Sequence, residues 1–134
     1  KGATLNGQPI HVSAKKTVND SVLALDMSYL NEQAGLALKM LGALWPGMQS
    51  IRIMGSAALG LAYAACGRVD LYFHPNLAPW DMAGGILMVQ EAGGVTTDRQ
   101  GKPITYRTGE AIATNRDIHA DFMKLTEGME WRVK

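Results

Sequence analysis

One cysteine in 134 residues, Cys66, excludes an internal disulfide framework and suits a reducing compartment, so a cytoplasmic protein is expected. Charge of one sign is missing as well: 13 Lys and Arg face 12 Asp and Glu, a formal net charge of +1. That excludes the basic footprint of a nucleic-acid binder and the like-charge block of a solvated tail. No apolar run approaches the roughly 20 residues of a membrane helix, so no membrane and no nucleic acid is expected as partner. Internal repeats, linkers and low-complexity stretches are absent too, and the length fits one domain with a real core. What remains is ordinary globular composition, 47% hydrophobic and 19% charged, mildly rich in Gly (15) and Met (8).

The glycines punctuate. Asn6-Gly7 between Ala3–Leu5 and Ile10–Val12 predicts a hairpin. Residues 14–20 read as a polar connection and Val22–Leu25 as a short buried strand. A helix is predicted over Tyr29–Leu44, with Leu30, Ala34, Ala37, Leu38, Leu41 and Leu44 inward, stopped by Trp45-Pro46-Gly47. Gln49–Met54 reads as a strand, after which Ser56 caps a helix to Cys66 that Gly67 ends. That helix carries no charge and should be buried on every side, an inner layer between two sheets. Val69–His74, Val95–Thr97 and Ala111–Thr114 read as strands, Asp98–Gly101 as a turn and Asp117–Leu125 as an amphipathic helix. Alternation of strands and helices predicts an α/β fold, a layered mixed sheet with flanking helices.

Residues 80–94, Trp-Asp-Met-Ala-Gly-Gly-Ile-Leu-Met-Val-Gln-Glu-Ala-Gly-Gly, are the most informative stretch. Asp81 opens a helix that is otherwise apolar or tiny apart from Gln90 and Glu91. A helix N-cap Asp is commonplace, because its oxygen accepts orphan backbone N–H groups; an acid on a buried helix also needs a partner, and a metal ion is one candidate. Gly84 and Gly85 each cost about 1 kcal/mol of helix propensity relative to Ala, which close approach of a backbone or ligand to that face would offset. Gly55-Ser56-Ala57, a strand running into a helix start, exposes N–H groups suited to oxygen-rich ligands. It is not a P-loop, since no Lys-Ser/Thr follows Gly60. His11 and His119 lie far apart and suggest no zinc cluster.

Together these motifs resemble the inositol monophosphatase family, the Mg2+-dependent, lithium-sensitive sugar-phosphate phosphatases. Trp80–Gly94 is similar to its C-terminal signature. Arg52-Ile-Met-Gly-Ser-Ala-Ala58 resembles its R-x-x-G-S/T-A-A segment, and Gly67-Arg-Val-Asp-Leu-Tyr-Phe73 its G-x-x-D-x-Y/F-F strand. Gly2-Ala-Thr-Leu-Asn-Gly-Gln-Pro-Ile-His-Val-Ser13 resembles its G-A-x-x-N-G-x-x-I-x-V-S hairpin, and order and spacing agree from residue 1 to about 120. The resemblance implies the C-terminal half of the αβαβα sugar-phosphatase fold. On that comparison residues 1–20 end an N-terminal domain's hairpin and connection, and residues 21–134 form the C-terminal α/β domain. It implies Asp81 as a ligand of catalytic Mg2+ that also touches substrate, and Gly55, Ser56 and Ala57 as main-chain contacts to substrate hydroxyls. His74 stands where animal inositol phosphatases place a Glu that binds the inositol ring; it is either a substrate contact or a strand-end histidine.

The family's other metal ligands lie in an acidic segment and an Asp-Pro-x-Asp-Gly-Thr-type loop of an N-terminal half, and neither sequence is found here. The expectation is therefore a C-terminal portion, inactive alone, whose partners are the missing half, a small phosphate ester and a second copy in a homodimer. Apolar surface should then be exposed along residues 56–66. The substrate could be inositol monophosphate, fructose 1,6-bisphosphate, histidinol phosphate or a phosphoadenosine nucleotide; alternatively the chain is a non-catalytic module for dimerisation or binding. Among the remaining residues, Glu91 is expected to be structural and Asp70 to orient the Gly67-Arg68 turn. Arg52 and Arg68 should pair with these acids or a neighbouring subunit, Cys66 should sit in the core, and Trp80 should pack and position Asp81.

Overall fold

Asn6 and Gly7 take φ of 52° and 80°, the left-handed pair a tight hairpin turn demands, and join β1 (Thr4–Leu5) to β2 (Gln8–Pro9). The computed structural model describes residues 2–133; Lys1 and Lys134, the outer ends of the two segments expected from the sequence, lie outside them. After the hairpin come a short 3-10 turn (Val18–Asp20), β3 (Val22–Leu25), α1 (Asn31–Leu44), β4 (Ser50–Ile53), α2 (Ala57–Ala65) and β5 (Leu71–His74). Then follow α3 (Pro79–Glu91), β6 (Val95–Thr97), β7 (Ala111–Thr114), α4 (Arg116–Leu125) and α5 (Glu130–Val133).

The main sheet has the order β4-β3-β5-β7-β6. β3 runs parallel to both β4 and β5, while β7 is antiparallel to β5 and β6, so the sheet is mixed as expected. Side-chain alternation along the strands sorts the core into two layers. Leu23, Leu25, Leu71 and Phe73 pack with α1, α4 and α5. Val22, Ala24 and Tyr72 pack with α2 and α3 on the opposite face. Phe73, Phe122 and Trp131 close the first layer, with ring centroids 5.2–6.0 Å apart. The crossovers from β3 through α1 and from β4 through α2 therefore lie on opposite faces. Beyond the paired C-terminal ends of adjacent β3 and β4 the chain thus departs toward opposite faces, the arrangement that marks the ligand-binding crevice of open α/β sheets.

Long-range polar ties hold the amino-terminal segment on this frame. Val12 N–H donates to the Ala92 carbonyl (3.1 Å) and Gly2 N–H to the Glu91 carboxylate (2.7 Å). Asn115 caps α4 through the Ile118 N–H (2.7 Å), and its amide donates to the Ser13 and Lys15 carbonyls (2.6 and 2.7 Å).

Several expectations need correction. Asp81 is not the N-cap of its helix. Ala78 holds that position without a side-chain cap and Pro79 begins the helix, since its fixed φ and missing N–H suit the first turn. Asp81 is thus the third helical residue. α2 is not buried all round: Gly60, Leu61, Ala64 and Ala65 face the sheet and α3, whereas Ala58 and Leu59 face solvent. α3 likewise exposes Ala83, Gly84 and Leu87. Trp80 does not pack; it is 84% exposed. In α1 the inward stripe is Leu36, Ala37, Met40, Leu41 and Leu44, with Leu30 and Leu38 outward, because contact with the sheet and Trp131 selects the face. Asp70 does not orient the Gly67 turn; it accepts from Val22 N–H (2.7 Å) and Lys15 Nζ (3.0 Å). Arg68 stacks over Tyr63 (5.2 Å), Arg52 donates to Ser50 and the Ile51 carbonyl, and Cys66 is half-buried at the end of α2.

Candidate active site

Parallel pairing of β4, β3 and β5 brings three strand ends to one edge of the sheet. The residues beyond them, together with the first turn of α3, enclose an open cleft of about 690 Å³. Every site residue expected from the sequence lines it: Gly55, Ser56 and Ala57 at the start of α2, His74 at the end of β5, and Asp81. Gly55 takes φ of 73° and has open space where a side chain would lie, so it turns the chain sharply off β4. Ser56 then caps α2 by accepting from Leu59 N–H (3.2 Å), and Ala57 and Ala58, whose N–H groups have no acceptor within the helix, line the cleft. Asp81 sits in the first turn of α3, where a negative charge is favoured by the helix dipole.

His74 is 7% exposed, and its Nδ1 accepts from Asn76 N–H (3.0 Å). That bond places the proton of the neutral ring on Nε2. Burial pushes the His74 pKa below its usual value, against the opposing pull of Asp26 and Asp81. The wall beside Asp81 is therefore a neutral imidazole offering one N–H donor.

Asp26, just beyond β3, was not foreseen from the sequence. Its Oδ2 accepts from the Tyr72 hydroxyl (2.8 Å) and its Oδ1 from the Gly55 N–H. Burial, then the bond to Asp26 and the charges of Asp26 and Asp81, hold the Tyr72 phenol far above its usual pKa, so it remains a donor. An acid directly after an apolar strand was the only signal for Asp26; its partners lie 29 and 46 residues away.

Two acids and no Lys or Arg line the cleft among the described residues, so the cleft favours a cation, and an anion would enter it only together with one. No group of three His, Cys, Asp or Glu side chains able to hold a metal ion forms among the described residues. The donor set thus fits one arm of a metal site: among the described residues Asp81 has no side-chain partner in the cleft, whereas each Asp26 oxygen already accepts one hydrogen bond within the fold. No helix among those residues is long and apolar enough to cross a membrane.

Comparison with known proteins matches residues 1–129 to the family model described as "Inositol monophosphatase family". The chain belongs to the inositol monophosphatase family. It is 38% identical over 127 residues to the inositol-1-monophosphatase of Synechocystis, covering 90% of this chain and 42% of that relative. It is 39% identical over 116 residues to the Nus factor SuhB of Escherichia coli K12, covering 86% of this chain and 43% of that relative. Among solved structures, the extragenic suppressor protein SuhB of Bartonella henselae superposes with a TM-score of 0.86 at 39% identity, covering 95% of this chain and 49% of that one. The chain spans less than half the length of these curated relatives, and the part it matches is their C-terminal half.

Proposed function

We propose that this chain is the C-terminal portion of a Mg2+-dependent, lithium-inhibited phosphomonoesterase that hydrolyses inositol monophosphate or a related sugar phosphate. Residues 1–20 would end a preceding domain's hairpin and connection, and residues 21–134 form its C-terminal α/β domain. One observation carries the reading: Asp81, the start of α2 and His74 converge on one cleft at the carboxyl edge of the parallel strands. In this reading Asp81 holds Mg2+ and touches substrate, the main chain of Gly55, Ser56 and Ala57 meets substrate hydroxyls, and His74 Nε2–H donates to an oxygen of the sugar. A magnesium ion bound through one or two carboxylates with water and phosphate oxygens needs no closed protein cage, which suits a lone Asp81. When bound, such an ion stabilises charge developing on the phosphoryl and leaving oxygens. The described residues bring together too few carboxylates for that chemistry, so we expect this chain to bind without turnover. A cytoplasmic homodimer is part of the same proposal.

The test adds inositol, fructose, histidinol and adenosine phosphates with Mg2+ to the purified chain, following phosphate release and amide NMR shifts. Expected is no release, with saturable shifts of inositol 1-phosphate confined to Gly55–Ala57, His74 and Asp81 and lost in Asp81→Asn. Shifts elsewhere, or no binding by any ester, would overturn the reading of the cleft. Turnover that Asp81→Asn abolishes would overturn the claim that the chain is catalytically incomplete. A second reading, a non-catalytic binding or dimerisation module, is favoured by the exposed Leu59, Leu87 and Trp80. Sizing that shows self-association without any ester binding would select it.

A further inference from the structure

We infer that Asp26 is a positioning residue: its buried carboxylate sets the Gly55 turn, and through it the first N–H groups of α2, against the cleft. Strand order is what places it there. β3 lies between β4 and β5, so the residue just beyond β3 stands between Gly55, just beyond β4, and Tyr72 on β5. The last ladder bond between β3 and β4 in this region runs from Met54 N–H to the Leu25 carbonyl (3.1 Å). One residue later the chain turns away at Gly55, whose N–H is left without a strand to pair with. The Asp26 carboxylate accepts it.

The second arm reaches α2 from below. Tyr72 is fully buried, and its ring lies directly under Gly60, where an added Cβ would meet ring atoms at 2.2–2.6 Å. The ring therefore supports the second turn of α2, and its hydroxyl is held by the same carboxylate (2.8 Å). One side chain thus fixes α2 at its leading turn and beneath its body. A carboxylate 7% exposed is costly to bury unless hydrogen-bonded, and here both oxygens are satisfied by neutral donors. That commitment separates it from Asp81: of the two acids in the cleft, Asp26 shapes and Asp81 meets the ligand.

The inference rests on the proposed function only for its ligand readout, so the experiment carries two. The first is amide exchange of Gly55 in the purified chain. Asp26→Ala should speed it about 10- to 100-fold, the worth of a hydrogen bond to a charged group. Tyr72→Phe, which leaves the Gly55 arm intact, should leave it nearly unchanged. The second is binding of inositol 1-phosphate with Mg2+, followed at the Ser56 and Ala57 amides. Asp26→Ala should weaken it roughly tenfold, and Asp26→Asn should restore most of it, because the amide oxygen can still accept from Gly55 N–H while the Tyr72 hydroxyl reverses. A merely structural residue would lower the melting temperature without moving the affinity of the folded protein. Should Asp26→Ala not fold, the Gly55 amide proton shift decides, moving upfield in Asp26→Asn as the charged acceptor is lost. Unchanged Gly55 exchange in Asp26→Ala, or an unmoved Gly55 shift in Asp26→Asn, would overturn the inference whatever the ligand does. Absence of ligand binding by the unaltered chain would sink the proposed function and leave the exchange result to judge Asp26.

Discussion

Gly84 and Gly85 are neighbours in the middle of α3, equally costly to a helix, yet substituting them should have opposite consequences. Each Gly→Ala change gains about 1 kcal/mol of helix propensity. At Gly84 the new methyl meets nothing within 4 Å, so the gain is realised and the protein is stabilised by roughly that amount. At Gly85 the methyl would lie 2.4 Å from Leu61 Cδ1, 2.6 Å from Leu61 Cβ and 3.0 Å from Leu61 Cγ. Leu61 is fully buried between α2, α3 and the sheet. Rotating it cannot clear its own Cβ, so the two helices must part by about 1 Å to restore ordinary contact. Overpacking of this kind costs about 1–3 kcal/mol. Propensity is common to both variants and cancels between them, so their difference isolates the helix contact at about 1–3 kcal/mol, or roughly 4–12 °C in melting temperature. Urea unfolding followed by circular dichroism, with unchanged m-values, measures it directly. Equal midpoint shifts for the two variants, or a Gly85→Ala protein as stable as Gly84→Ala, would refute the reasoning that α2 and α3 touch through this glycine.

Two further predictions concern stability. Asn115→Ala should lower unfolding free energy by about 2–4 kcal/mol in urea titrations, since it removes the α4 cap and both bonds that hold residues 13–15; Asn115→Ser, whose hydroxyl can still cap α4, should recover part of this. Burial holds His119 and His74 below the usual histidine value of 6.5, so near and below that pH the unfolded chain binds more protons than the folded one. Stability is therefore full above about pH 6.5 and should fall as pH drops toward the lowered folded values. In His119→Gln, which keeps a partner for Thr97, the decline in melting temperature with acid should be shallower; an identical slope would rule out His119 as a source.

Local chemistry was readable along the chain because neighbouring residues settle it. Asn6-Gly7 turns a hairpin by its φ preferences, Ser56 caps α2 through an N–H three residues on, and Val22–Leu25 forms a strand over the span its apolar run suggests. The family resemblance was readable for the same reason: its motifs are short segments in register, and residues 1–129 match the family model. Asp81 was found as the acid of the α3 first turn, though not as its cap, because Pro79 displaces the helix start toward the N-terminus.

Choice of faces was not readable. A helix without charge, such as α2, looks alike on every side, and only the contact of Gly60 with Tyr72 and of Gly85 with Leu61 decides which side is inward. Trp80, expected to pack, is exposed, while Trp131, for which the sequence suggested no position, is buried against Phe73 and Phe122. Asp26 shows the limit most clearly. Its role depends on Gly55 and Tyr72, 29 and 46 residues distant, which meet it only because β3 is central in the order β4-β3-β5. The sequence by itself determined most of the elements, though not α5 or the Val18–Asp20 turn, together with their punctuation and the chemistry available, because these follow from backbone preference and side-chain type. Only the tertiary structure decided which faces are buried and which acid is spent on holding the cleft, because burial and hydrogen-bond partnership belong to pairs of residues that the fold brings together.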